Sequence, residues 1–294
     1  MALKNGLKIK GADANAKEAI SGEFSFEECI IGPFKLVREE PKTMLPSVLE
    51  WIPMLIIAVV LGDFLTKYTY LAGKFASAVQ SNDPTILFSV FNDLLGAFIK
   101  YLPDFVLIGL LYVLISNFLA LAYSHMVMQK RSGKGILIAE AFGAAKGRLP
   151  GLLVANLLFT LTACLAGMAF LLLIMLSSLL GIFGILVAIM AFIMLIVAAF
   201  VLGIAGWVLS PMIMIGGKGG MEAFAESIPF AWKNIKRGIA VVLVAFVVSV
   251  ILDQLVAAFT GIPYAGLAVA SMIGLAVNSW KAMVPAEFYS ESVE

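Results

Sequence analysis

An uninterrupted apolar stretch is the feature that most constrains this chain. Between Arg148 and Lys218 lie 69 residues without a single Asp, Glu, Lys, Arg or His. About 20 apolar residues cross a bilayer once as a helix, and core helices of soluble domains are seldom longer than that. A run of this length is typical of two spanning helices joined by a tight turn. The sequence therefore predicts an integral membrane protein.

The composition of the whole chain agrees with this interpretation. Of 294 residues, 62% are apolar and 13% are charged, which is about half the charged fraction of an ordinary soluble protein. The net charge of +1 gives no reason to expect a nucleic-acid partner. We expect membrane lipids as partners, with another membrane protein or a second copy of the chain as further candidates. No cofactor motif occurs, and we expect no cofactor.

The hydrophobic pattern predicts an all-α fold with six transmembrane helices in three hairpins, each preceded by an amphipathic cytoplasmic helix. Residues 1–22 are predicted to form a polar N-terminal tail, residues 23–290 the membrane domain, and residues 291–294 a C-terminal tail. The predicted spans cover about 47–71, 105–128, 151–176, 181–212, 238–259 and 264–283.

The segment between the first two spans is ambiguous. Its first part, 73–83, is polar enough for a loop. Residues 85–102 are apolar, but Asn92-Asp93 and Lys100 interrupt them. This pattern favours an interfacial or partly re-entrant helix over a full span.

Three amphipathic segments are predicted to lie at the membrane surface. In the first, over 24–45, apolar side chains recur at spacings of four, four and three, with an interruption at Gly32-Pro33. The second lies in the loop before span three, and the third covers 221–236. Their apolar faces consist of Phe26, Ile30, Phe34 and Val37; of Ile138, Phe142, Ala145 and Leu149; and of Met221, Phe224, Ile228, Trp232 and Ile235.

The distribution of basic residues predicts the orientation. Seventeen Lys and Arg, Lys281 included, fall on the side that holds both termini, and only Lys67, Lys74 and Lys100 fall on the other. Basic residues accumulate on the cytoplasmic side of membrane proteins. Both termini are therefore predicted to be cytoplasmic, in a multi-pass protein of the cell membrane.

Two acidic residues in predicted spans are candidates for ion or proton coupling. Carboxylates inside spans are costly and often functional, which directs attention to Asp63 and Asp253. If both face a shared cavity, they would bind a cation or a proton. The simpler interpretation, which the sequence favours, pairs Asp63 with Lys67 one helical turn away and places Asp253 at the outer interface.

Other polar residues do not form a catalytic pattern. The single histidine, His125, lacks a metal motif or a paired acid and is interpreted as an interfacial polar residue. Asn117, Asn156 and Asn278 are interpreted as hydrogen-bonding links between helices. We therefore predict no enzyme activity, no catalytic residue and no metal site.

Six basic residues in the predicted cytoplasmic loops are candidates for contact with lipid head groups. Each basic residue near an anionic surface contributes about 1 kcal/mol of attraction. The six are Lys130, Arg131, Lys134, Lys233, Lys236 and Arg237.

A resemblance to a known family adds to this interpretation. The stretches 210–213 (SPMI), 221–227 (MEAFAES) and 232–234 (WKN), followed by a long apolar helix, form a signature. This signature is similar to that of uncharacterised six-helix membrane families grouped with the membrane domain of glycerophosphoryl diester phosphodiesterases. The end of the chain, 282–289 (AMVPAEFY), resembles the last span of those families. The resemblance covers roughly 24–290 and implies a six-helix fold with a membrane-associated role, but no catalytic residues.

Two functions from different classes follow from these observations. The first is a non-enzymatic membrane protein that organises lipid or serves as an accessory or assembly subunit. The alternative is a small-solute or ion transporter that uses Asp63 and Asp253.

Overall fold

A computed structural model describes residues 24–81, 84–260 and 265–293, and helices account for nearly all of these residues. No strand occurs among these residues, so the predicted all-α class is confirmed. The predicted tail over 1–22 lies outside the described residues. The helices are α1 Phe26–Glu39, a 3-10 helix Pro41–Glu50, α2 Trp51–Ser81, α3 Pro84–Arg131, α4 Ile138–Ser177, a 3-10 turn Ser178–Leu180, α5 Ile182–Trp207, α6 Leu209–Met214, α7 Gly220–Lys233, α8 Ile235–Thr260 and α9 Ala265–Val293.

Five stretches of the described chain are long and apolar enough to cross a membrane. They are Pro41–Ser77, Pro84–Arg131, Ile138–Ser177, Ile182–Met214 and Ile235–Thr260. The sixth predicted span, 264–283, corresponds to the first part of α9. That helix is not among the five, and Asn278, Ser279 and Lys281 in its middle lower its mean hydropathy.

The helix bounds differ from prediction between the first two spans. The predicted loop over 73–83 is wrong as far as Ser81, because α2 continues to that residue. This stretch contains Ala, Lys and Gln, whose helix propensity outweighs their polarity. The segments 85–102 and 105–128 form one helix, α3, which passes through Pro103. With 48 residues, α3 is about 72 Å long, more than twice the thickness of a hydrocarbon core.

Two predicted surface helices also have different bounds. The first ends as an α-helix at Glu39 and is followed by the 3-10 helix, and Gly32-Pro33 does not interrupt it. Pro33 is buried within α1. The second is not a separate element, because α4 runs from Ile138 through Pro150 to Ser177 and joins it to the third span.

Burial is concentrated at one end of the bundle. There α1, the 3-10 helix, α6 and α7 pack against the end of α3, the beginning of α4 and the second half of α9. Most of the basic residues lie here, and we call it the basic end. Away from it, α2, α4 and α5 carry large apolar side chains that are exposed. A bilayer would cover these side chains.

Helix α1 is held against α9 by a buried tryptophan. The indole Nε1 of Trp280 donates to the backbone oxygen of Ile30 at 2.8 Å. The ring of Phe34 stacks on Trp280, with centroids 4.7 Å apart. Ile30 and Val37 of the predicted apolar face are buried, whereas Phe26 is exposed. The buried face of α1 is therefore rotated toward Leu36 relative to the predicted apolar face, and it contacts protein.

The thiol of Cys29 provides a test of this docking. Cys29 is fully buried, and burial together with the charges of Glu291 and Glu287 raises the pKa of its thiol to about 12. Since the thiolate is the reactive form, we expect Cys29 in the Cys164→Ser variant to resist maleimide until the protein unfolds. Mass spectrometry of labelled protein measures this. Wild-type protein in detergent, in which Cys164 is exposed, should take up one label. Rapid labelling of native Cys29 would show that α1 is not docked.

Helix α7 contacts its neighbours through small residues. Its buried residues are Ala223, Ser227 and Ala231. Met221 and Trp232 of the predicted apolar face are exposed, so contact of that face with the membrane surface stays a prediction. The small side chains allow a close approach to α4 and α5, which a face of large side chains would prevent.

Candidate functional site

The two acids predicted to couple ions are carried by helices with different neighbours. The side chain of Asp63 lies outside the described part of the structure, so its pairing with Lys67 stays a prediction. Its helix, α2, packs mainly on α3 and the 3-10 helix, whereas α8, which carries Asp253, packs on α9 and α5.

Asp253 is engaged by a basic residue that the sequence placed elsewhere. The Nζ atom of Lys281 donates to both carboxylate oxygens at 3.0 and 2.9 Å, and Ser249 Oγ donates to one of them at 3.3 Å. Lys281 was predicted on the cytoplasmic side and Asp253 toward the opposite face. Two side chains in contact lie at nearly the same depth in the membrane. The prediction that Lys281 and Asp253 lie at opposite faces is therefore wrong for at least one of them.

Of the six predicted head-group contacts, two make ion pairs within the protein. Lys130 pairs with Glu39 of α1, and Arg131 pairs with Glu287 and Glu291 of α9. The others, Lys134, Lys233, Lys236 and Arg237, are exposed. The Arg237 guanidinium lies 4.8 Å from the centre of the Phe24 ring. Lipid contact by any of the six stays a prediction.

His125 is buried in the last part of α3, and its predicted place at the membrane interface stays a prediction. Among the described residues neither ring nitrogen has a hydrogen-bond partner, and Nε2 lies 4.0 Å from a carboxylate oxygen of Glu140. The residues that the structure describes contain no group of three or more His, Cys, Asp and Glu able to hold a metal ion.

A polar cavity lies between the 3-10 helix and helices α3, α4, α5, α6 and α9. Its volume is about 250 Å³. This cavity, which we call the polar cavity, combines one acid, one base, two amides and several hydroxyls from distant parts of the chain. Its polar lining residues include Glu50, Asn117, Ser124, Asn156, Ser210 and Lys281.

Hydrogen bonds across the helices hold this lining in place. Asn156 Nδ2 donates to Asn117 Oδ1, and Ser124 Oγ lies 3.2 Å from Ser210 Oγ. Asn278 Nδ2 donates to Glu50 Oε2 at 3.2 Å. The three asparagines therefore link helices, as predicted. Two of them also line the polar cavity, which the sequence did not indicate.

Glu50 is the site residue that the sequence analysis missed. It lies inside the predicted first span, 47–71, and inside the candidate span Pro41–Ser77. An acid within a span is the same signal that drew attention to Asp63. Glu50 lies next to Trp51 at the edge of the apolar run, and no sequence pattern singled it out.

A second cavity adjoins the polar one. It lies between α5, α8 and α9, has a volume of about 340 Å³, and we call it the apolar cavity. Phe200, Phe246 and Trp280 contribute to its walls. Trp207 and Lys281 line both cavities. The two cavities therefore lie on either side of, or next to, the same two side chains, one mostly apolar in its lining and the other more polar.

An ion-pair cluster lies at the basic end. Arg131 Nε donates to Glu287 Oε2 at 2.8 Å, and the guanidinium also binds Glu291. Glu291 accepts from the backbone N–H of Ser25 at 3.0 Å, just before α1. Glu287 is almost fully buried, and burial raises the pKa of its carboxyl group although Arg131 opposes the shift. This cluster joins α1, α3 and α9.

Comparison of the chain with protein-family models, with curated proteins and with solved structures gives no match. The resemblance to the membrane domain of glycerophosphoryl diester phosphodiesterases therefore rests on sequence motifs alone.

Proposed function

We propose that this chain is a non-enzymatic, multi-pass membrane protein that holds an amphiphilic lipid between its helices and so organises lipid locally. The observation that carries the proposal is the pair of adjoining cavities, which share Trp207 and Lys281. An acyl chain suits the apolar cavity, and a head group suits the polar one. The volume of the apolar cavity lies within the usual range for small-molecule sites, about 300–1,000 Å³, and that of the polar cavity lies just below it.

The proposed topology has six spans in three hairpins, with amphipathic helices and both termini on the cytoplasmic side. Five candidate spans and the exposed apolar side chains of α2, α4 and α5 support insertion. The basic asymmetry supports the orientation and remains strong without Lys281. The resemblance to the phosphodiesterase membrane domain supports the same six-helix arrangement.

The transport alternative draws less support from these contacts. A coupling acid must be free to exchange its ion, but Asp253 is neutralised by Lys281 through both of its oxygens. We therefore prefer lipid holding, with uptake assays of Asp63→Asn and Asp253→Asn in liposomes as the test of the alternative. Uptake that is lost in either variant would favour transport.

Tryptophan fluorescence tests the proposed function. Trp207 and Trp280 line the apolar cavity, whereas Trp51 and Trp232 are exposed. After Trp51→Phe and Trp232→Phe, we expect the remaining emission to be quenched, in a saturable way, by phospholipid brominated on its acyl chain. The quenching is expected to saturate because the apolar cavity holds a single acyl chain.

Filling the cavity supplies the control. Gly203 lines the apolar cavity, and a Cβ added there would meet no atom within 4 Å. We expect Gly203→Leu to abolish the saturable quenching. Gly167→Leu, at an equally open position of α4 outside both cavities, should leave the quenching intact. Quenching that is unchanged by Gly203→Leu would contradict the proposal.

A further inference from the structure

The carboxylate of Glu50 lines the polar cavity without an ion-pair partner among the described residues, and Lys281 attracts it only from beyond ion-pair distance. Its Oε2 accepts from Asn278, and no described residue donates to Oε1 or forms an ion pair with either oxygen. The cation that lines the cavity, Lys281, is bound to both oxygens of Asp253. A carboxylate inside a span is expensive unless a partner compensates it. A bound cation would supply that compensation.

Two neutral amide oxygens of the same cavity lining can also accept hydrogen bonds. Asn117 Oδ1 accepts one hydrogen bond, from Asn156, and a carbonyl oxygen accepts two. The Oδ1 atom of Asn156 has no donor among the described residues. The polar cavity therefore offers a carboxylate and two amide oxygens to a ligand. A primary ammonium has three N–H donors to match them, whereas a quaternary ammonium has none.

We propose that the polar cavity selects a lipid whose head group carries a primary ammonium, with Glu50 as its counter-ion and Asn117 and Asn156 as further acceptors. This inference rests on the proposed function, because the lipid's acyl chain would occupy the apolar cavity. Lys281 lies where the two cavities meet. Asp253 accepts two of its hydrogen bonds, and a third N–H remains for the phosphate of a zwitterionic head group.

A series of head groups tests the selection with the tryptophan variant described above. Brominated phosphatidylethanolamine, its N-methyl and N,N-dimethyl derivatives, and brominated phosphatidylcholine are each added to unbrominated phosphatidylcholine. We expect half-saturation at a mole fraction about tenfold lower for phosphatidylethanolamine than for phosphatidylcholine, a difference of about 1.4 kcal/mol, because of these two head groups only the primary ammonium can donate charge-assisted hydrogen bonds to Glu50. The methylated lipids should fall between them in order. The comparison of these lipids requires no substitution of a residue that lines either cavity.

Substitution then tests the role of Glu50. Glu50→Gln keeps an acceptor for Asn278 but removes the charge, and we expect it to reduce the tenfold preference to less than twofold while quenching persists. The control, Glu39→Gln, removes an exposed acid outside both cavities and should keep the preference. Free ethanolamine carries the same ammonium without a chain. At concentrations equal to that of the lipid we expect it not to displace the lipid.

The outcomes separate the two proposals. Equal half-saturation for all head groups, or an undiminished preference in Glu50→Gln, overturns the ammonium assignment and leaves the lipid site in place. Absence of saturable quenching by every lipid overturns both. Displacement by free ethanolamine at equal concentration would show a site for a soluble amine and would also overturn both.

Discussion

The Arg131→Ala variant should lose about 3–5 kcal/mol of unfolding free energy, because it leaves buried acids without their base. Arg131 is the shared partner of Glu287 and Glu291, whose side chains are both at least 90% buried. The lost contacts join α1, α3 and α9, so the basic end should open first. Thermal unfolding in mild detergent, together with hydrogen exchange of α1, measures the effect.

The neighbouring residue provides the matched control for this prediction. Lys130 also pairs with an acid, Glu39, but both side chains are nearly half exposed. Exposed ion pairs contribute little to stability, so Lys130→Ala should leave the unfolding midpoint nearly unchanged. Equal losses in the two variants would show that Arg131 contributes no more than a surface charge.

The defect of Arg131→Ala should also depend on pH. Burial already raises the pKa of Glu287 above its ordinary value of 4.5, and Arg131 opposes that rise. Without Arg131 the pKa in the folded state should rise further. A carboxyl group with a raised folded pKa stabilises the fold below its unfolded pKa, and this contribution is lost as pH rises through the folded value. The defect should therefore shrink as pH falls toward about 4.5. Unfolding midpoints measured over this range check the sign, and a constant defect would contradict it.

The second large effect is expected at the contact between α4 and α7. A Cβ atom added to Gly220 would lie 2.1 Å from the backbone oxygen of Gly151. Side-chain carbons essentially never come closer than 3.0 Å, and a backbone oxygen cannot rotate away. We expect Gly220→Ala to force the helices apart and to destabilise the protein by about 1–3 kcal/mol. Size-exclusion profiles and unfolding midpoints in detergent measure it.

Two other glycines provide controls for Gly220. A Cβ on Gly219 would meet nothing within 4 Å, and one on Gly151 would lie 3.5 Å from the Gly220 nitrogen, an ordinary contact. Gly219→Ala and Gly151→Ala should therefore be tolerated. The same pair of helices is thus predicted to accept alanine on one side of the contact and to reject it on the other. Tolerance of all three substitutions would show that α4 and α7 are not this close.

The sequence predicts the membrane class and the helical class because both depend on average composition. The apolar run and the break near Ser177, where a 3-10 turn follows α4, are local signals. They can be recognised from a short stretch of sequence because they do not depend on contacts with distant residues. The bounds of α2 and α3 were harder to predict. Polar residues within an apolar helix resemble a loop when only hydropathy is considered, although their helix propensity is high.

The site could not be assembled from the sequence for a different reason. Its contacts join residues that no local pattern relates, as in the pairs Asn117–Asn156, Glu50–Asn278 and Arg131–Glu287. Basic residues were assigned to lipid because loops of membrane proteins usually expose them. The acids that pair with Arg131 lie 156 and 160 residues later, and only the packing of α9 brings them close.

The packing of α1 on α9 has a consequence for how the protein is made. Trp280 is synthesised 250 residues after Ile30, its hydrogen-bond partner. At translation rates of about 5–20 residues per second, this interval lasts roughly 12–50 seconds. Throughout it the part of α1 that packs on α9, around Ile30 and Phe34, lacks that partner, and the adjacent lipid surface is an alternative apolar environment. The nascent helix would therefore begin as a membrane-bound segment and complete its packing in the protein core only when the last helix arrives.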